Sequence, residues 1–248
     1  MFLVYVLNPA VSSRGIMQMI VLDKIHNMDC IEYMKQLPDE CIDLIVTDPP
    51  YLMNYRSKHR QNKDHRFCKP IVNDTNEKLI TDYIKECYRI LKNDSACYMF
   101  CNSNKVEFFK TELQKYFNVK NIIVWVKNQT TAGDLVAQYG KGYEFILYVN
   151  KGRCPIRGSR ISDVWKNNRV AGSQLIHQNQ KPVELIEKCI VKSSDSGGIV
   201  FDGFMGSGTT AIACRNTDRH YIGCELDENY YKIAKERIEN HQVQMRFT

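Results

Sequence analysis

The sequence predicts an α/β fold built on a doubly wound, mostly parallel sheet, and three observations carry that prediction. Short apolar runs of strand type alternate with longer segments of helical periodicity along most of the chain. A glycine-rich turn, Phe201-Asp-Gly-Phe-Met-Gly-Ser-Gly-Thr-Thr-Ala211, follows one apolar run and opens a helix. A double proline, Asp48-Pro49-Pro50-Tyr51, ends another.

Taken in order, Met19-Ile-Val-Leu22 reads as the first strand. The apolar opening MFLVYVLNPA has no basic region and too short a core for a signal peptide, and the regular pattern begins only at Met19, so Met17 or Met19 is the expected natural start. Asp29 with Glu32 three residues on reads as a capping box for a helix closed by Pro38. Ile42 to Thr47 is a strand. The prolines after it cannot continue a sheet, so the chain must leave the layer at that strand's carboxyl end. Residues 77–91 carry Leu79, Ile80, Ile84, Cys87, Tyr88 and Leu91 on one helical face. There follow a strand at 96–101, a helix at 105–117, and strands at 121–126 and 145–149. The carboxyl third repeats the scheme with a helix at 182–191, a strand at 199–201, a helix at 209–215, a strand at 221–224, and a helix from an Asp227 cap to about His241. No linker separates two cores, so residues 1–248 read as one domain.

Composition narrows the class. With 248 residues, 44% hydrophobic and 25% charged, the chain is long enough for a full globular core. No apolar run reaches the roughly 18 residues of a membrane helix, so no membrane partner is expected. The ten cysteines form no C-x-x-C pair and read as free thiols, which implies a reducing, cytoplasmic setting; the six histidines show no metal-ligand spacing, and no metal is expected.

The net charge of +6 is concentrated. Residues 52–72 hold Arg56, Lys58, Arg60, Lys63, Arg66 and Lys69 against Asp64, and residues 151–169 hold Lys151, Arg153, Arg157, Arg160, Lys166 and Arg169 against Asp163. Tyr55, His59, His65, Phe67 and Trp165, interleaved with them, are groups that stack on bases, so both stretches suit a polyanion such as DNA.

The glycine turn fits two templates. Gly206, Gly208 and Ala211 match G-x-G-x-x-[GA], and Gly203 to Gly208 has P-loop spacing, but Thr209 stands where a P-loop has its lysine, which argues against ATP hydrolysis. What remains is a tight turn whose backbone N–H groups meet an anionic group at a helix N-terminus. Glu225 ends the next strand 19 residues after Gly206, in register to accept hydrogen bonds from two ribose hydroxyls, so a nucleoside cofactor is expected. Asp48 to Tyr51 lies at the same edge of a parallel sheet, and both turns can face one crevice.

Here the sequence resembles the DNA adenine N6-methyltransferases of the permuted, beta class, in which a DPPY turn precedes the cofactor glycine turn, and in particular the compact methylases of phages and prophages. The resemblance spans nearly all of residues 20 to 240 and includes Trp125-Val-Lys-Asn, Gly133-Asp-Leu, Tyr143-Glu-Phe-Ile-Leu, Gln180-Lys-Pro-Val-Glu-Leu and Phe204-Met-Gly-Ser-Gly-Thr-Thr. Two departures stand out: His177-Gln-Asn-Gln-Lys-Pro182 where the family usually has HPTQKP or HPNQKP, and Asp202-Gly-Phe204 where it usually has D-P-F.

The resemblance implies a Rossmann-like class I S-adenosylmethionine-dependent methyltransferase fold, S-adenosylmethionine (SAM) as cofactor, and DNA as substrate. It implies that Asp48 and the Pro49 carbonyl accept hydrogen bonds from the adenine amine, that Pro50 stiffens the turn, and that Tyr51 stacks on a base flipped out of its duplex. Asp in the first position favours adenine, since relatives acting on cytosine N4 more often carry Ser. Cofactor contacts carried over are Asp29, Cys30, Asp202, Phe204, Gly206, Ser207, Gly208, Thr209 and Glu225, with Asp29 also readable as a helix cap and Lys181 either paired with the methionine carboxylate or solvated. For DNA, a basic insertion at 52–74 (Arg56, Lys58, Arg60, Lys63, Arg66) would close over the base, and a short target-recognition segment at 151–176 would use Arg157, Arg160 and Arg169. A homodimer and a cognate restriction endonuclease stay open as partners. The rival readings are a cytosine N4 methyltransferase, an NAD-dependent oxidoreductase, which leaves the DPPY turn idle, and a non-catalytic nucleic-acid-binding protein, which leaves the glycine turn idle.

Overall fold

The computed structural model describes residues 3–8, 16–53, 75–131, 136–171, 175 and 180–241. The expected DNA contacts Arg56, Lys58, Arg60, Lys63 and Arg66 lie outside the described residues, as do Gly133 to Leu135 and His177 to Asn179.

Ten strands and six helices are described: β1 (Leu3–Asn8), β2 (Ile16–Val21), β3 (Lys24–His26), α1 (Cys30–Met34), β4 (Ile42–Thr47), α2 (Glu77–Ile90), β5 (Leu91–Cys101), α3 (Val106–Gln114), β6 (Asn118–Thr131), β7 (Lys141–Lys151), β8 (Val164–Lys166), α4 (Val183–Ser193), β9 (Ile199–Asp202), α5 (Thr209–Asn216), β10 (His220–Cys224) and α6 (Glu228–Glu239). Eight strands form one sheet in the order β3-β10-β9-β4-β5-β7-β6-β8, and β1 and β2 pair as a separate antiparallel ribbon. Within the large sheet β7 alone runs against its neighbours. The doubly wound, mostly parallel sheet is therefore as the sequence predicts.

Alternation along the strands explains why both sheet faces are covered. In β5, Cys97, Met99 and Cys101 enter the core beneath α1, α2 and α3, while Ala96, Tyr98 and Phe100 enter the core beneath α4, α5 and α6. Helix α2 forms because Ile80, Tyr83, Ile84, Cys87 and Ile90 make one buried stripe and the Asn76 side chain accepts from the Leu79 N–H at its start.

Three elements depart from the sequence expectation. Strand order begins at Leu3 rather than Met19, because residues 3–8 pair with 16–21. The three-residue strands β3 and β8 carry too little pattern to show periodicity and owe their form to pairing with β10 and β6.

Connections from β4 run to β5 on one side, and those from β9 run to β10 on the other. Neighbouring β4 and β9 are thus the switch point of the sheet, where a crevice opens at the strands' carboxyl ends. Asp48 follows β4 and Asp202 ends β9.

Candidate active site

A cavity of about 630 Å³ opens at that switch point. Asp29 and Cys30, the turn Asp48 to Tyr51, Lys181, the turn Asp202 to Ser207, Thr209 and Glu225 all line it. Every residue expected at the catalytic turn, and every expected cofactor contact except Gly208, is therefore at one site.

The glycine turn is held from three sides. Gly206 (φ 54°) and Gly208 (φ 81°) take left-handed backbone that side chains rarely adopt, and a Cβ on Gly208 would lie 3.1 Å from Ile238 Cδ1 and 3.3 Å from Ala234 Cβ of α6. The buried Asp202 carboxylate accepts from Phe204 N–H at 3.0 Å and from Thr210 Oγ1 at 2.6 Å, while burial pushes it up to about 6. Glu225 accepts from Gly206 N–H and Asp227 N–H, each at 2.8 Å, and burial pushes it up to about 7. Arg237 of α6, which sequence reasoning missed, donates to the Ser207 carbonyl at 2.9 Å and lies 3.2 Å from the Ser207 and Thr209 hydroxyls. Asp29 acts as the helix cap, its Oδ1 accepting from Ile31 and Glu32 N–H, and it also faces the cavity.

The glycine that departs from the family pattern has a structural partner. Gly203 N–H donates to the Tyr83 hydroxyl at 3.1 Å, and that hydroxyl lies 2.9 Å from Thr47 Oγ1, so one side chain of α2 ties the ends of β4 and β9 together. A Cβ at 203 would sit 2.4 Å from Tyr83 Cε2, and proline would also lack the N–H. Gly203→Ala is expected to destabilise the fold by about 1–3 kcal/mol through overpacking. Thermal unfolding would register this as a Tm several degrees lower, and an unchanged Tm would mean that Tyr83 moves aside freely.

At the catalytic turn, the Tyr51 hydroxyl donates to Asp48 Oδ1 at 2.5 Å. Of the two expectations for Lys181, a cofactor carboxylate or solvent, the structure shows neither: its buried ammonium lies 2.7 Å from Asp48 Oδ2 and 3.2 Å from Glu144 Oε2 and donates to the Tyr51 hydroxyl at 3.0 Å. The lysine lines the cavity, but its charge is spent on the catalytic turn. Burial raises the Asp48 carboxyl, and the Lys181 ammonium opposes that rise.

The segment at 151–176 divides. Because β7 runs antiparallel, Lys151 lies beside Ser95, at the sheet edge opposite the cavity. There Arg157 pairs with Asp195 at 3.1 Å and donates to the Pro155 carbonyl, and Lys192 donates to the carbonyls of Arg157 and Ser159. Arg157, expected beside the target, therefore lies at the far edge as a tether between loops. β8 then runs parallel to β6 and returns the chain to the cavity side, where Arg169 N–H donates to Asn128 Oδ1. Sequence spacing could not reveal this split, because it depends on the direction of β7.

Residues 42–236 match the DNA methylase family (N6_N4_Mtase). The YubD protein of Escherichia coli (strain K12) is 30% identical over 213 residues, covering 85% of this chain and 87% of its own. The DNA adenine methyltransferase YhdJ of the same organism is 27% identical, covering 85% and 81%. Among solved structures, the M1.HpyAVI–SAM complex superposes with a TM-score of 0.67 at 26% identity over 87% of this chain and 98% of that one. The PvuII DNA methyltransferase (cytosine-N4-specific) shares the fold at a TM-score of 0.69 and 14% identity, covering 89% and 88%.

SAM is the cofactor, and the residues present fit it. Backbone N–H groups at the start of α5 suit its carboxylate, and Glu225, whose two oxygens each take one protein N–H, keeps lone pairs free for ribose hydroxyls. The fold, the cavity and the match together make this chain a member of the DNA methylase family, a SAM-dependent DNA methyltransferase.

Proposed function

We propose that this chain methylates the N6 amine of adenine in DNA, as an enzyme of the permuted beta class. The observation that carries the reading is the meeting of Asp48-Pro49-Pro50-Tyr51 with the turn Asp202 to Thr209 in one cavity at the β4/β9 switch point. SAM, when bound, supplies the methyl group. Asp48 accepts a hydrogen bond from the target amine, whose lone pair is delocalised into the ring, and so favours the pyramidal nitrogen that attack requires. Two prolines fix the acceptor's backbone. The Tyr51 ring offers a stacking surface for a base taken out of its helix. Asp48, in place of the Ser more common in cytosine N4 enzymes, and the likeness to an enzyme named for adenine support the choice of base.

The test is incubation of unmethylated genomic DNA with labelled SAM and the protein, digestion to nucleosides and mass analysis. N6-methyl-2′-deoxyadenosine is the expected product. N4-methyl-2′-deoxycytidine would overturn the base, and no labelled nucleoside would overturn the reaction.

We assign DNA contact to Arg169 on the cavity side and to Arg56, Lys58 and Arg60 of the basic stretch 52–72. Arg169→Ala, or neutralising the other three, is expected to weaken binding to all sequences and to reduce the salt slope by about 0.9 per lost phosphate contact. Arg157→Ala, far from the cavity, is expected to leave that slope unchanged. A slope that responds to Arg157 and not to Arg169 would move the DNA to another face.

A further inference from the structure

Three motifs of the sequence have no role in the chemistry above: Trp125-Val-Lys127-Asn, Tyr143-Glu144-Phe and Gln180-Lys181-Pro. Their charged side chains meet in one line. Lys127 of β6 donates to Glu144 Oε1 of β7, Glu144 Oε2 lies 3.2 Å from Lys181 Nζ, and Lys181 Nζ lies 2.7 Å from Asp48 Oδ2. The charges alternate from Asp48 to Lys127 and sum to zero. Both lysine side chains are nearly enclosed, at 5% and 7% exposure, so neither charge is solvated away from its partners. The aromatic faces of Trp125, Tyr51 and Phe100 lie about the two ammonium groups at 4.9, 5.4 and 5.1 Å.

We propose that Lys181 and Glu144 are positioning residues for methyl transfer: Glu144, steadied by Lys127, holds the Lys181 ammonium against Asp48, so that the Asp48 carboxylate keeps one orientation toward the target amine. Lone pairs remain on the carboxylate after its bonds to Lys181 and Tyr51, and these accept from the amine. The proposal rests on the reading of Asp48 as that acceptor.

The groups facing Asp48 determine the sign of each effect. They are Tyr51 of its own turn, Lys181 before α4, Glu144 of β7 and Asp202 of β9, with Cys101 of β5 alongside and Lys127 and Arg169 beyond Glu144. Burial raises Asp48, Lys181 lowers it and Glu144 raises it. Removing the lysine and removing the glutamate should therefore move its titration in opposite directions.

Single-turnover methyl transfer measured against pH tests this in K181M, E144Q, K127M/E144Q, K181R and D48N. K181M is expected to lose about tenfold or more in rate and to shift the acid limb upward. E144Q should lose rate with its limb shifted downward, and the double variant should recover part of that loss, since Lys127 no longer faces Lys181 without a carboxylate between them. K181R should keep the limb near its wild-type place, and the KM for SAM should stay within about twofold throughout. If K181M does not fold, the E144Q limb and its rescue decide. Unshifted limbs, no rescue, or losses confined to KM would overturn the proposal. An inactive D48N beside unaffected K181M and E144Q would sink this proposal alone; an active D48N would sink the reading of Asp48 on which it rests.

Discussion

Asp48→Ala is expected to remove methyl transfer, lowering kcat by about 10²- to 10³-fold or more, while the Kd for SAM stays within about threefold. The expectation follows from how the cavity is divided. Asp48 sits on the β4 side with Tyr51 and Lys181, whereas the glycine turn is organised by its own bonds to Asp202, Glu225 and Arg237. Truncation leaves Lys181 within 3.2 Å of Glu144, so its ammonium keeps one carboxylate partner. Calorimetry of SAM binding beside single-turnover transfer separates the outcomes. Parallel loss of both would put Asp48 on the cofactor, and retained transfer would remove it from the chemistry.

Much of this site was legible in the sequence because its parts are local. Apolar strands ending in Asp-Pro-Pro-Tyr and in Asp-Gly-Phe-Met-Gly-Ser-Gly announce where the backbone must leave the sheet, and a parallel sheet puts such ends on one edge. Glu225 was found by the same logic, one strand along. The polar partners that hold these turns were not legible. Tyr83 looks like any core tyrosine at helical spacing, and Arg237 like any basic residue on an exposed helix face; each acquires its task only through long-range folding.

Charge was the least readable feature. Two basic stretches look alike in sequence, yet the second is split between opposite sheet edges by the reversal of β7, which turns Arg157 into a tether for Asp195. Lys181 shows the same limit in reverse. Its place near the cavity was expected, but its choice of partner is electrostatic: Asp48 and Glu144 both reach it, and together they hold its ammonium charged although burial alone would discharge it.

Glu225 carries the largest expected effect on the cofactor. Two of its lone pairs are taken by Gly206 and Asp227 N–H, and an ionised carboxylate keeps two more for the ribose hydroxyls. Losing hydrogen bonds to a charged group costs about 1.5–3 kcal/mol, so Glu225→Gln is expected to weaken SAM binding by roughly 10- to 150-fold. The pH dependence has a definite sign. Burial pushes this carboxyl up to about 7, so the group is ionised above that pH and becomes protonated as pH falls through it. A protonated Glu225 must donate where it should accept, and the affinity of the wild-type protein should fall by up to about tenfold per pH unit below 7. With glutamine the affinity should be weaker and flat across the same range. Calorimetric titrations of both proteins between pH 5.5 and 8.5, at about constant ionic strength, measure this directly. Equal, pH-independent affinities would take Glu225 off the ribose and leave it as a brace for the Gly206 turn, a role in which the loss would appear in Tm instead of Kd.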